Sequence, residues 1–177
     1  MVKRTEIRLS GSGGQGLILA GIILADAAIS ENNNAVQSQS YGPEARGGAS
    51  KAEVIIDNEE IDFPKVDKAD LLLVLTKESY RKYISTLKTN GVLVIDSAID
   101  VECDEIAFQV VKIPITETAI NKIGKSIVSN IVALGAIQQI TGIISKEALE
   151  NAVIKRVPKG MKELNKNALK EGYKLIS

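Results

Sequence analysis

The spacing of hydrophobic positions changes several times along this chain. Near the N-terminus Glu6-Ile7-Arg8-Leu9 alternates and stops at Ser10-Gly11, as expected of a strand with one face buried. From about residue 14 to residue 30 the alternation is lost. Leu17, Ile18, Leu19, Ile22, Ile23, Leu24, Ala27, Ala28 and Ile29 cover almost the whole circumference of a helix. A helix that is apolar all round is buried on most sides, within the fold or against a partner. Glu31-Asn32-Asn33-Asn34 ends it. Residues 35–38 predict a short second strand, and residues 49–56, with Val54, Ile55 and Ile56, a third.

Leu71-Leu72-Leu73-Val74-Leu75 is an unbroken apolar run, the pattern of a central parallel strand covered on both faces. A helix is predicted over residues 77–87 and is read as closing at Asn90-Gly91. Val92-Leu93-Val94-Ile95 and Phe108-Gln109-Val110-Val111-Lys112-Ile113 predict two further strands, the second ended by Pro114. The remainder reads as helical. Ile127, Ile131, Leu134 and residues 136–140 predict a long helix ending near Gly142. Ser145 predicts the N-cap of a helix over 146–154, and Val157-Pro158-Lys159-Gly160 interrupts the pattern. A last amphipathic segment carries Met161, Leu164, Ala168 and Leu175. Alternating strands and helices predict an α/β fold: a Rossmann-like, mostly parallel sheet flanked by helices, with a helical C-terminal part. No linker interrupts the 177 residues, so residues 1–177 read as a single domain.

Composition narrows the chemistry. Aromatic residues are 3% against 45% hydrophobic, so the core is aliphatic. Lys+Arg and Asp+Glu both number 22, and no net field draws the chain to nucleic acid or to an anionic membrane. Zero net charge mildly favours life inside a complex. There is no histidine, which removes Ser-His-Asp catalysis and His-rich zinc sites. Cys103 is the one cysteine, too few for a disulfide or for the roughly four thiolates of an iron–sulfur cluster. It sits among Glu102, Asp104 and Glu105, which would raise a thiol's pKa, and reads as an unreactive loop residue. No catalytic or metal-ligating residue is assigned. Without a signal-peptide core or a span-length apolar stretch, the expected location is the cytoplasm.

Two glycine-rich segments remain. Gly11-Ser12-Gly13-Gly14-Gln15-Gly16 matches G-x-G-x-x-G between a predicted strand and a predicted helix. The first glycine permits a tight turn, the second lets a ligand reach the backbone, and the third lets helix and strand pack closely. Free N–H groups at the helix start favour an anion. The alternative is that these glycines serve packing alone. A dinucleotide site also calls for an acid at the end of the second strand, and Val36-Gln37-Ser38-Gln39-Ser40 has none. The second segment is Ser40-Tyr41-Gly42-Pro43-Glu44-Ala45-Arg46-Gly47-Gly48, in which an aromatic, an acid and a base are framed by glycines.

Together these two segments, followed by Ala52-Glu53-Val54-Ile55-Ile56, resemble the gamma subunit of 2-oxoacid:ferredoxin oxidoreductases over essentially the whole chain. The resemblance implies a multisubunit enzyme that oxidatively decarboxylates a 2-oxoacid with coenzyme A and passes the electrons to ferredoxin. It implies alpha, beta and delta subunits as partners, with thiamine diphosphate, Mg and iron–sulfur clusters on them, and a non-catalytic gamma chain that supports assembly and one wall of the coenzyme A site. The residues it marks are Gly11, Gly13, Gly14, Gln15, Gly16, Ser40, Tyr41, Gly42, Glu44, Arg46 and Gly47. Arg46 would meet an anionic group, or pair with Glu44 as a structural or interface ion pair. By analogy the 2-oxoacid is 2-oxoglutarate, with pyruvate, branched-chain 2-oxoacids and indolepyruvate as alternatives. The rival reading is a stand-alone nucleotide-binding Rossmann-type protein.

Overall fold

The computed structural model describes residues 3–40 and 48–176. Six strands form one sheet: β1 (Thr5–Ser12), β2 (Asn34–Ser40), β3 (Ala49–Asp57), β4 (Ala69–Val74), β5 (Leu87–Asp96) and β6 (Gln109–Ile113). Their order is β2-β3-β1-β4-β5-β6. β1, β4, β5 and β6 pair in parallel, and β3 runs antiparallel to both of its neighbours. The sheet is therefore Rossmann-like but mixed, with one reversed strand between β1 and β2.

Helix α1 (Leu17–Ser30) crosses from β1 to β2 and packs on the sheet with α4 (Ser129–Thr141) and α5 (Lys146–Arg156); α2 (Lys77–Tyr83) covers the opposite face. The unbroken apolar run of β4 is explained by these two layers. Leu71 and Leu73 enter the core under α1 and α4, while Leu72 and Val74 enter the core under α2. All four are at most 1% exposed. Each such burial stabilises by about 1.5–3 kcal/mol relative to exposure, and truncating Leu73 to alanine would cost about 2–5 kcal/mol.

The all-apolar α1 finds its partners inside this chain. Eight of its residues are buried, from Leu17 to Ala28, while Ile29 is 55% exposed. α4 is buried over Ser129–Gln138 and crosses α6 (Lys162–Lys174) closely at two glycines. A Cβ on Gly172 would collide with the Val132 carbonyl, and one on Gly135 with the Leu169 carbonyl. α4 ends at Gly142 in the left-handed region, φ 58°. Ser145 caps α5, its Oγ accepting from the Ala148 N–H at 3.1 Å. A further short helix, α3 (Ile115–Thr118), runs into a single π-type turn at Ala119–Ile123.

Some local expectations are corrected. α2 ends at Tyr83, followed by one 3₁₀ turn at Ile84–Thr86, and Asn90-Gly91 lies within β5. The register jumps there, Ala69 pairing Leu87 and Leu71 pairing Val92. Asn90 takes φ 64°, and its N–H donates to the Ala107 carbonyl at 2.8 Å. A helix C-cap and a strand irregularity both need a left-handed residue, so Asn-Gly signals either. α1 begins at Leu17 because Gly14 and Gly16 both have positive φ. Ile127 precedes α4 in a 3₁₀ turn and is 64% exposed. Cys103 is half-buried in the loop after β5, beside the core under α2.

Candidate functional site

The carboxyl edge of the sheet gathers the first glycine segment and both stems of the second. β1 ends there at Ser12 and β2 at Ser40, and the reversed β3 begins there at Ala49. Ser12 pairs with Ala49, Gly11 with Ser50, and Ser40 with Lys51. The glycine turn at 13–16 is therefore one strand from the Ala49 stem of the second segment and two strands from the Ser40 stem. Tyr41, Gly42, Glu44, Arg46 and Gly47 lie outside the described residues. This edge is where open α/β sheets take ligands, in the crevice beyond the strand ends.

Each glycine of the turn has its own reason. Gly11 is a strand residue, and the carboxamide oxygen of Gln15 fills the space beside it. Gln15 Oε1 accepts from the Ser12 N–H at 2.7 Å, which closes the turn on itself. Gly14 and Gly16 have φ of 86° and 71°, conformations that disfavour any other residue. Gly16 also faces Asn130 of α4, whose Nδ2 donates to the Gly16 carbonyl at 3.0 Å. Gly13 has neither a positive φ nor, among the described residues, an atom within 4 Å of where its Cβ would stand. Local folding explains three of these glycines, while at Gly13 the described residues leave open space.

The turn opens into a cavity of about 290 Å³ lined by Ser12, Gly13, Gly14, Leu17, Ile18 and Ser50, among others. A second hollow of about 250 Å³, on the helical side of Gly14 and Gly16, is apolar, with Leu19, Ile127, Val157, Pro158 and Met161. Gly16 caps α1 without a side-chain acceptor, and the first turn of α1 carries no acid. Its backbone N–H groups are thus open to an acceptor in front of the helix. A larger, open depression of about 770 Å³ lies at the opposite edge, by Lys3, Glu31, Asn58 and Gly142, remote from both glycine segments.

Charge on the α2 face was not legible beforehand. Arg8, 2% exposed, reaches Glu53 Oε1 with Nε at 2.7 Å and Nη2 at 2.6 Å, and Lys51 Nζ lies 2.7 Å from the same oxygen. The alternation of β1 marks Arg8 as an outward position; α2 and Tyr83 cover it instead. Asn130 was likewise missed, because a single asparagine in an apolar helix gives no sign of what it will face.

The dinucleotide alternative meets a geometric obstacle. β3 separates β2 from β1, so the end of β2 is two strand spacings, about 10 Å, from the glycine turn. An acid there would stand one strand further away than the ribose contact requires. Among the described residues no group of three or more His, Cys, Asp or Glu is arranged to hold a metal, and no helix is long and apolar enough to cross a membrane.

Residues 6–175 match the family model described as pyruvate ferredoxin/flavodoxin oxidoreductase. The 2-oxoglutarate synthase subunit KorC of Methanocaldococcus jannaschii is 51% identical over 176 residues, covering 97% of this chain and 94% of that protein. The gamma subunit of a keto/oxoacid ferredoxin oxidoreductase from Geobacter sulfurreducens superposes with a TM-score of 0.89 at 50% identity, covering 98% of this chain and 96% of that one. A 2-oxoglutarate:ferredoxin oxidoreductase from Magnetococcus marinus, solved with 2-oxoglutarate, coenzyme A and succinyl-CoA bound, superposes with a TM-score of 0.87 at 25% identity. It covers 99% of this chain, which spans 31% of that longer one.

Proposed function

The chain belongs to the pyruvate ferredoxin/flavodoxin oxidoreductase family, and we propose that it is the gamma subunit of a multisubunit 2-oxoglutarate:ferredoxin oxidoreductase. The complex converts 2-oxoglutarate and coenzyme A to succinyl-CoA and CO₂ and hands two electrons to ferredoxin. Near full-length identity to KorC supports 2-oxoglutarate over pyruvate or branched-chain 2-oxoacids. In this reading residues 1–177 form one gamma-type domain working in the cytoplasm.

The chain's own contribution is to bind and shape. Its polypeptide has one cysteine and no histidine, so it cannot ligate a four-thiolate cluster or supply an imidazole base. By the family resemblance, thiamine diphosphate, its Mg and the clusters are assigned to alpha, beta and delta partners, where the decarboxylation and electron transfer occur. The observation that carries the reading is the pairing of Ser12 with Ala49, which sets the glycine turn beside a stem of the second segment. There Gly13, Gly14, Gln15 and Gly16 present a backbone turn that forms one wall of the coenzyme A site, and the same role is proposed for Ser40, Tyr41, Gly42, Glu44, Arg46 and Gly47 of the second segment. A phosphate accepts from backbone N–H groups in such a turn, and the adjoining apolar hollow suits an uncharged arm.

Omission and add-back test this. Partner subunits without this chain are expected to lose coenzyme A-dependent formation of succinyl-CoA, and the purified chain is expected to restore it while turning over nothing alone. Full activity without the chain, or tight NAD binding by the chain by calorimetry, would overturn the assignment.

A further inference from the structure

Beneath the point where the chain leaves β2 and returns as β3, buried Arg8, Glu53 and Tyr83 and the partly exposed Lys51 form a polar cluster on the α2 face. Arg8 and Lys51 share one oxygen of Glu53, at 2.6–2.7 Å. Arg8 Nη2 also donates to the Val66 carbonyl at 2.9 Å, while Nη1 is buried with no hydrogen-bond partner among the described residues. The ring of Tyr83 lies 5.9 Å from the Arg8 guanidinium carbon and 6.0 Å from the Lys51 ammonium. Its hydroxyl donates to the Ala49 carbonyl at 3.3 Å. Ala49 pairs with Ser12, and Lys51 pairs with both Ser10 and Ser40. The cluster thus touches the backbone at the stems from which residues 41–47 depart.

A sheet does not need this arrangement to be stable. Two cations on one carboxylate oxygen, with a guanidinium nitrogen unpaired among the described residues, are often no more favourable than apolar side chains of the same volume. What directional contacts supply, and apolar packing does not, is a single allowed geometry. We propose that Arg8, Glu53, Lys51 and Tyr83 are positioning residues that hold the stems Ser40 and Ala49 at the angle the coenzyme A wall requires. This rests on the coenzyme A reading above, and none of the four is assigned a contact with the ligand.

The test uses the reconstituted complex. Arg8→Met combined with Glu53→Leu replaces the buried pair with apolar side chains, and the partly exposed Lys51 turns to solvent. The Tm and subunit assembly are expected to be retained. The KM for coenzyme A is expected to rise on the order of tenfold, the scale of a misplaced binding wall, with the KM for 2-oxoglutarate unchanged. Amide exchange at Ser40 and Ala49–Lys51 is expected to quicken. Tyr83→Phe, which keeps the ring and loses the hydroxyl, should shift the same readouts in the same direction by less. Unchanged exchange at the stems, or a fall in Tm and assembly that accounts for the lost affinity, overturns the proposal. Gly13→Ala separates the two readings. If it leaves the coenzyme A KM unmoved, the coenzyme A assignment fails, and stem exchange alone then decides whether the cluster positions the stems.

Discussion

The side-chain oxygen of Gln15 occupies the space that a β-carbon on Gly11 would need, held there by the Ser12 N–H at 2.7 Å. Gly11 is therefore required by the internal closure of the turn. Gly11→Ala is expected to expel the Gln15 carboxamide and press on Leu75 as well. The cost should be about 1–3 kcal/mol, as for other insertions into a filled site. Urea unfolding of the chain measures it; a midpoint equal to wild type would mean the turn closes some other way.

Gly13→Ala makes the opposite prediction. A Cβ there meets no described atom within 4 Å, and φ is not positive, so stability should change by no more than about 0.5 kcal/mol. The added methyl instead stands on the surface of the cavity at the head of α1. In the assembled enzyme the coenzyme A KM should rise on the order of tenfold, with kcat at saturation retained, because only binding is obstructed. Steady-state kinetics with coenzyme A varied at saturating 2-oxoglutarate check this.

The contrast between Gly11 and Gly13 also marks what the sequence discloses. Spacing alone identifies the turn, the strand before it and the helix after it, since alternation in Glu6–Leu9 and the loss of period after Gly16 are local properties of the chain. The run Leu71–Leu75 announces a central strand because both of its faces need apolar cover. Long-range geometry leaves no such trace. Nothing in residues 49–57 says that β3 reverses and inserts beside β1, which is what moves β2 away from the turn and brings the second segment to it. Arg8 reads as an outward position because alternation reports a face, and only the fold reveals that α2 and Tyr83 bury that face. Asn90-Gly91 misleads because one backbone conformation serves two kinds of element.

Asn130 ties the turn to α4 across 114 residues of sequence, donating to the Gly16 carbonyl while filling the space beside the Gly16 α-carbon. Gly16 O also accepts from the Ala20 N–H at 3.0 Å, so it keeps one partner when Asn130 is removed. Asn130→Ala should therefore cost only about 1 kcal/mol. Gly16→Ala suffers both the collision with Asn130 and the strain of φ 71°. Combining the two relieves the collision and leaves the strain, so the pair should couple by about 0.5–3 kcal/mol in the favourable direction. A double-mutant cycle in denaturant measures it, and strict additivity would show that the two residues do not press on each other.

Acid should loosen α5 from α1 through one ion pair. Arg156 holds both oxygens of Asp26, Nε at 2.5 Å and Nη2 at 2.9 Å, joining the end of α5 to the middle of α1. The hydrogen bonds from Arg156, and then its charge, outweigh the effect of burial and hold the Asp26 carboxyl below its ordinary value. A carboxyl whose pKa is lower folded than unfolded binds fewer protons when folded. Its contribution is complete above the ordinary aspartate range and is lost as pH falls below about 4 and through the folded value. Asp26→Asn should therefore lower stability at neutral pH while flattening the decline as pH falls below about 4. The guanidinium is solvent-exposed, so added salt should shrink the difference between the two proteins at pH 7. Denaturant midpoints followed across pH, at low and high salt, test both effects; parallel acid limbs in the two proteins would rule out Asp26 as their source.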